Sequence, residues 1–316
     1  MSPLATVVIP THDHGPTLRQ SVGSVLAQTV SDLEILVVGD GVPSQARPVL
    51  DEVAAWDERV RVFLNPKSPR TGEPWRRAAL ERARGTLVLY LSDDDLWFPE
   101  HVEHMAELLS NADFAHALPL RVDPDGTLRS GAIDLSLPGF SARMLAGRNW
   151  IPFSCGTHTM EAYRRLQSGW ETTPKGIWTD LYMWQKFLRL EGVRLASATR
   201  PTVLHFPSSQ RGDWSLEART SELERWAARV ADSDWRREFV FTALAEVVRA
   251  SARKELRILR LLDGVAARER KLDQLEGTLT WRLRERALTL APIGMAAKAR
   301  ARRAGRRARA RSSPAR

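Results

Sequence analysis

The stretch "LVLYLSDDDLWFP", residues 87–99, runs an apolar strand pattern directly into three carboxylates, Asp93, Asp94 and Asp95. Adjacent like charges repel, so their place at the end of a buried strand needs a reason. Two readings compete: a solvated turn, or a site where a cation and phosphates hold the charge together. The neighbouring strands weigh on the choice.

Upstream, strand and helix patterns alternate at the intervals of βα units. "ATVVIP" (residues 5–10) is a short apolar run broken by "THDHGP", and Leu18, Val22, Val25 and Leu26 then recur at helical spacing. "LEILVVGDG" (33–41) is a second buried strand ending in a turn, "ARPVLDEVAAW" a second helix, and "RVRVFLN" (59–65) a third strand. "EPWRRAALERARG" is a helix that leads into the opening stretch. Strands buried on both faces and separated by helices form a parallel, doubly wound sheet, whose ligands sit beyond the carboxyl ends of the strands. Residues 11–14, Asp40 and Asp93–Asp95 all fall at such ends, which favours the site over the solvated turn.

The chain has 316 residues, 43% hydrophobic and 27% charged, enough for one large or two modest domains. A single cysteine, Cys155, excludes an internal disulfide and a cysteine-based zinc site. No apolar run reaches the roughly 20 residues of a membrane span, and "MSPLATVVIPT" lacks the pattern of a signal peptide, so a cytoplasmic location is expected. The net charge of +9 equals the nine Lys and Arg of residues 298–316, where no acid occurs, so residues 1–297 are formally neutral. From 113 to 207 the pattern is mixed, with Gly/Pro turns, a helix expected near Thr179, and Trp150, Trp170, Trp178 and Trp184. Residues 215–290 read as long helices with few Gly or Pro, and Leu272, Leu275, Leu279 and Leu283 form an apolar stripe.

"VVIPTHDHGPTLRQSVGSVLAQT", "LEILVVGDG" and "ARGTLVLYLSDDDLWFPEH" together resemble the N-terminal half of family-2 glycosyltransferases of the GT-A fold. Each motif is weak alone; three in order on alternating β and α elements are specific. The resemblance covers about residues 4–110, loosens from 150 to 207 and is absent from the C-terminal helices. It implies an α/β GT-A catalytic domain, Rossmann-like with a mostly parallel sheet flanked by helices, over residues 1–213. An α-helical region (214–297) and a basic, disordered tail (298–316) would follow.

The resemblance also implies a metal-dependent, inverting transfer from a UDP- or dTDP-sugar to a glycan, lipid-linked or envelope-polymer acceptor. The carboxylates suit that chemistry, because Mg²⁺ or Mn²⁺ bridging them to a diphosphate stabilises its departure. By this likeness Asp93 meets the ribose and Asp94 or Asp95 the metal, the register being open, with His205 an additional ligand or a structural loop residue. Pro10, Thr11, His12 and Arg76 are implied nucleotide-sugar contacts, and Arg211 a phosphate contact. Metal binding by His12, Asp13 and His14 together is not expected, since three consecutive loop residues rarely point one way. Asp40 stands where relatives read the base, accepting the imide N3–H of uracil or thymine; the ordinary alternative is a turn Asp before Gly.

Relatives often carry two acids at that turn, and here the first is Gly39. "GIWTDLYMWQKFL" resembles the element that bears the general base, with Thr179 in place of a first acid and Asp180 matching the second. Asp180 is the implied base, although Thr–Asp at a helix start is also a common cap. His158 and Trp178 are implied acceptor contacts, with a structural role open for His158. The tail and the helix before it, residues 272–316, would suit peripheral binding to an anionic membrane at its inner face, and the C-terminal helices suit homo-oligomerisation. Nucleic acid is not an expected partner. A nucleotidyltransferase would show a Gly-rich loop with a Lys, which "PTHDHGPT" lacks, whereas a non-catalytic scaffold of the same fold stays open.

Overall fold

The computed structural model describes residues 2–283 apart from 132, 279 and 281. Its first unit, residues 1–252, is built on one sheet. The chain opens with β1 (Ala5–Thr11), α1 (Leu18–Leu26), β2 (Leu33–Asp40), α2 (Arg47–Trp56), β3 (Val60–Asn65), α3 (Glu73–Leu80) and β4 (Leu87–Tyr90). All eight residues of β2 and all four of β4 are buried, as strands covered on both faces require. β1 pairs in parallel with β2 on one side and β4 on the other, Ala5 standing opposite both Leu33 and Leu87. That common register brings the chain out of all three strands along one edge of the sheet.

Beyond β4 the sheet is mixed. β5 (Leu96–Trp97), α4 (His101–Leu109), β6 (Phe114–Val122), β7 (Leu128–Ser130), α5 (Pro138–Leu145), β8 (Gly156–Thr159), α6 (Met160–Arg164), α7 (Thr179–Leu188) and β9 (Leu195–His205) follow. The strand order is β3-β2-β1-β4-β8-β6-β9-β5, with β7 on β6. β8 is antiparallel to both its neighbours, and β5 to β9, whereas β6 and β9 are parallel. Trp170, Trp184, Tyr90, Phe114 and Phe187 fill the core beside β8. Gly156 is needed there, because a Cβ would come within 2.3 Å of the Trp184 ring.

The expected boundary at residue 213 is corrected by packing. α8 (Leu216–Ala231) and the first turns of α9 (Ser233–Glu276) place Leu223, Trp226, Val230, Phe239 and Ala243 against Leu96, Phe98, Leu120, Val122, Leu204 and Phe206. These helices complete a second core of the same compact unit, which reaches Ala252. The second unit begins at Arg253, and its described part is helical, with Ile258, Leu261, Leu262, Val265, Leu272, Leu275 and Leu283 exposed. Among the described residues no helix is long and apolar enough to cross a membrane. Leu279 and the basic tail of 298–316 lie outside the described residues.

Candidate active site

A cleft of about 480 Å³ lies at the carboxyl ends of β1, β2 and β4, lined by Pro10, Thr11, His12, Asp40, Arg76, Asp93, Asp94, Trp178 and Asp180 among others. The nucleotide, metal and base residues expected from sequence therefore largely share one cleft. Asp95 lies outside it. At one wall, Asp40 is held by Lys67 Nζ, by Ser68 N at 2.6 Å and by Ser68 Oγ at 3.1 Å. Burial alone would raise its pKa, but these donors outweigh it and hold the carboxyl below its usual range. Gly72, at φ +82°, brings its backbone against Asp40, where a Cβ would sit 3.0 Å from the Asp40 Cβ. Gly39 is closely packed without such a backbone strain: a Cβ there would come 2.8 Å from Val42 Cγ2 and 3.3 Å from the Phe63 carbonyl, so a first acid would require Val42 to shift. Thr11 Oγ1 and His12 Nδ1 are buried and, among the described residues, without a hydrogen-bond partner, an unusual state for two groups side by side in a cleft.

The carboxylate triplet divides its work. Asp93 Oδ1 pairs with His14 Nδ1 at 2.9 Å, and Asp94 Oδ2 accepts from Ser208 Oγ at 2.6 Å and Arg219 Nη2 at 2.8 Å. Asp95 turns inward, accepting from Ser154 Oγ, from Phe206 N at 2.8 Å and pairing with His205 Nδ1 at 3.0 Å. Burial, then repulsion from Asp95 and Asp93, pushes the Asp94 pKa up to about 6. His14 is desolvated, yet its bond to Asp93 and the pull of both acids raise it to about 9. Arg219 Nη1 lies 3.1 Å from His14 Nε2, and its charge opposes that rise without cancelling it.

One nitrogen of His14 and one oxygen each of Asp93 and Asp94 lie within 4.8 Å of one another, the grouping among the described residues that fits a cation. An oxygen-rich set with a single imidazole suits Mn²⁺ or Mg²⁺. Sequence reasoning set His14 aside with its two neighbours and gave no sign of Arg219. The turn of Gly15–Thr17, with Gly15 at φ +32°, follows His14 directly, and Arg219 comes from α8, beyond the expected catalytic boundary.

Asp180 stands in the first turn of α7, its Oδ1 accepting from Leu181 N at 2.8 Å. Burial raises its pKa, toward the range useful to a general base. The loop before α7 is tied to the donor side: Arg70 donates to the carbonyls of Thr173 and Pro174, Thr71 and Thr179 hydroxyls meet at 3.1 Å, and buried Glu73 accepts from Thr71 N and Thr173 N. Asp180 also lines a second cavity of about 800 Å³, together with His205, Trp150, Trp178, Arg121 and Arg129. Trp178 is 69% exposed, whereas Trp170 and Trp184 are core. Arg76 is buried, its guanidinium 4.3 Å from the Trp170 ring centroid, and its end bonds Thr71 Oγ1.

Two expectations are corrected. His158 is fully buried, bonded to the Tyr90 hydroxyl and the Thr159 carbonyl, so it offers no surface to an acceptor. Arg211 is buried in a bidentate pair with Glu222 and donates to the Val122 carbonyl, so it holds α8 to the sheet and lines neither cavity.

The sequence model of Glycosyl transferase family 2 matches residues 6–166, half of the chain. The chain belongs to that family. It is 30% identical to the uncharacterized glycosyltransferase EpsJ of Bacillus subtilis over 95 residues, 30% of this chain and 27% of that protein. To the uncharacterized glycosyltransferase RP339 of Rickettsia prowazekii it is 26% identical over 112 residues, 35% and 34% of the two chains. These curated relatives are thus matched over about a third or less of their own length. The fold is similar to that of residues 1–349 of S. aureus TarS in complex with UDP-GlcNAc, with a TM-score of 0.52, 14% identity, and 64% and 58% of the two chains covered. The family and the topology agree: this is a GT-A fold whose sheet is parallel through residues 5–90 and mixed beyond.

Proposed function

We propose that the protein is an inverting glycosyltransferase that moves a sugar from a UDP- or dTDP-sugar to a hydroxyl of a glycan, lipid-linked or envelope-polymer acceptor. The observation that carries this reading is the single cleft in which Asp40, the His14–Asp93–Asp94 group and Asp180 meet. Asp40 faces the base. A carboxylate accepts about four hydrogen bonds, and Lys67 and Ser68 supply three, leaving one lone pair for the imide N3–H of uracil or thymine. Cytosine has no such hydrogen. Asp93 and Asp94, with His14, would hold Mn²⁺ or Mg²⁺, which when bound neutralises charge on a leaving diphosphate. Asp180 takes the proton from the acceptor hydroxyl as its oxygen bonds to the anomeric carbon and the bond from that carbon to the diphosphate breaks. Attack from the face opposite the leaving group inverts the anomeric configuration. That TarS was obtained in complex with a UDP-sugar supports the choice of donor. Peripheral binding to an anionic membrane from the cytoplasmic side, through residues 272–316, and self-association through the C-terminal helices belong to the same reading.

Thermal stability in Mn²⁺ with UDP, dTDP or CDP tests it. UDP and dTDP should protect the fold, CDP much less, and Asp40→Ala should erase the difference. If CDP protects as well as UDP, Asp40 does not read the base; if no pyrimidine nucleotide protects, the donor assignment falls. Slow hydrolysis of the matching UDP-sugar by the purified protein separates an enzyme from a binding scaffold.

A further inference from the structure

Two arginines face each other on neighbouring strands that line the second cavity. Arg121 of β6 and Arg129 of β7 are register partners across the two strands, and like charges directly opposite destabilise a strand pair. Their shared counter-ion is Asp123: Arg121 Nε lies 2.9 Å from Oδ1, and Arg129 Nε donates to Oδ2. Burial alone would raise the Asp123 pKa, but the arginines hold it below the usual carboxylate range, so the group is an anion. One carboxylate therefore serves two guanidinium groups, with weaker attraction to Arg129 from Asp125 and Glu246. At contact distance the two guanidinium groups share one carboxylate, and the other two acids act on Arg129 only from farther off.

The place of the pair matters. Both arginines line the cavity of about 800 Å³ that also holds Asp180 and His205. Their side chains are 40% and 59% exposed, while Asp123 beneath them is 11% exposed. Guanidinium forks match the paired oxygens of phosphate and carboxylate groups. Trp150 and Trp178 line the same cavity, and indole rings are apt partners for the apolar side of a sugar.

We propose that the Arg121–Arg129 pair binds an anionic group, phosphate or carboxylate, carried by the acceptor, so that the acceptor is an anionic carbohydrate. This rests on the glycosyltransferase reading, because it takes the cavity beside Asp180 as the acceptor side. The test uses the whole protein, with the donor site filled by UDP and Mn²⁺ so that a phosphate cannot bind there. Ligand-observed NMR then compares N-acetylglucosamine 6-phosphate, glucuronic acid and neutral N-acetylglucosamine. The phosphate and carboxylate probes separate the two anion sources. At least one should bind roughly tenfold tighter than the neutral sugar, the scale of one charged hydrogen bond. Rising salt should weaken the anionic probe and leave the neutral one unchanged. Arg121→Gln and Arg129→Gln should each remove most of the advantage while UDP affinity stays at the wild-type value. The proposal is overturned if neither anionic probe binds, if anionic and neutral probes bind alike, or if salt and both substitutions leave anionic binding unchanged. Failure of the wild type to bind UDP with Mn²⁺ would instead sink the parent reading.

Discussion

The two halves of the sheet deliver their site residues by different means. In the parallel half, β1, β2 and β4 share a register, so the residues just past each strand end arrive in one cleft. Thr11 to His14, Asp40, Asp93 and Asp94 need no more than their own strand to place them. In the mixed half, strands enter from both directions, and the second cavity collects Asp180 from a helix start, His205 from the end of β9, and Arg121 and Arg129 from neighbouring strands. Those residues are placed by packing between distant segments. On the proposed reading, the first half takes nucleotide and metal and the second takes acceptor and proton transfer. If so, substitutions in the two halves should change different measurements.

The largest effect is expected at Asp180. Asp180→Asn keeps the size of the side chain but removes the proton acceptor, so turnover should fall ~10²–10⁴-fold. UDP affinity in Mn²⁺ should stay at the wild-type value, because the base faces the acceptor. Loss of nucleotide affinity together with turnover would break the division between halves. Wild-type turnover in a folded variant would place the base elsewhere.

Asp94→Ala should do the reverse. UDP affinity in Mn²⁺ should drop roughly tenfold or more, since loss of even an outer partner of a metal site has that effect. In EDTA the variant should bind UDP at least as well as the wild type, because without a cation Asp94 only repels the diphosphate and occupies Arg219. Equal affinity in Mn²⁺ would remove Asp94 from the cation group and leave His14 and Asp93 without their third ligand.

The same contrast explains how much was legible in the sequence. The order of elements from β1 to β4, and the convergence of Asp40 and Asp93–Asp94, could be read because strand pattern and site residue are adjacent. Gly39 is legible only in three dimensions, where Val42 and the Phe63 carbonyl occupy the space of a side chain. The Asp95–His205 pair spans 110 positions, and it turns one member of the triplet away from the cleft. His158, an expected acceptor contact, sits on β8 between β4 and β6, where both ring nitrogens are bonded inside the core. Arg219 lies on a helix whose apolar face reads as a separate helical region until Leu223, Trp226 and Val230 are seen against the sheet. Helical periodicity tells which face is buried and not what it covers.

Arg219 also supplies the smallest and sharpest test of the comparison, because it reaches the parallel half from outside it. Its guanidinium neutralises Asp94 and abuts His14, the same two groups that would hold a cation. A metal ion and Arg219 therefore compete for Asp94. Arg219→Gln should let Mn²⁺ bind a few-fold tighter without nucleotide, a change of under about 1.4 kcal/mol. The titration runs from pH 7 to 9, because loss of the guanidinium favours the proton on Asp94, whose pKa is raised to about 6, and on His14, raised to about 9, so the gain should grow as pH rises. With UDP present the advantage should shrink or reverse, because a guanidinium released from Asp94 stands within reach of the diphosphate that the cation brings. Mn²⁺ affinity unchanged across that whole range would show that Arg219 is no rival for the site. The assignment of metal binding to the parallel half would then stand without any contribution from α8.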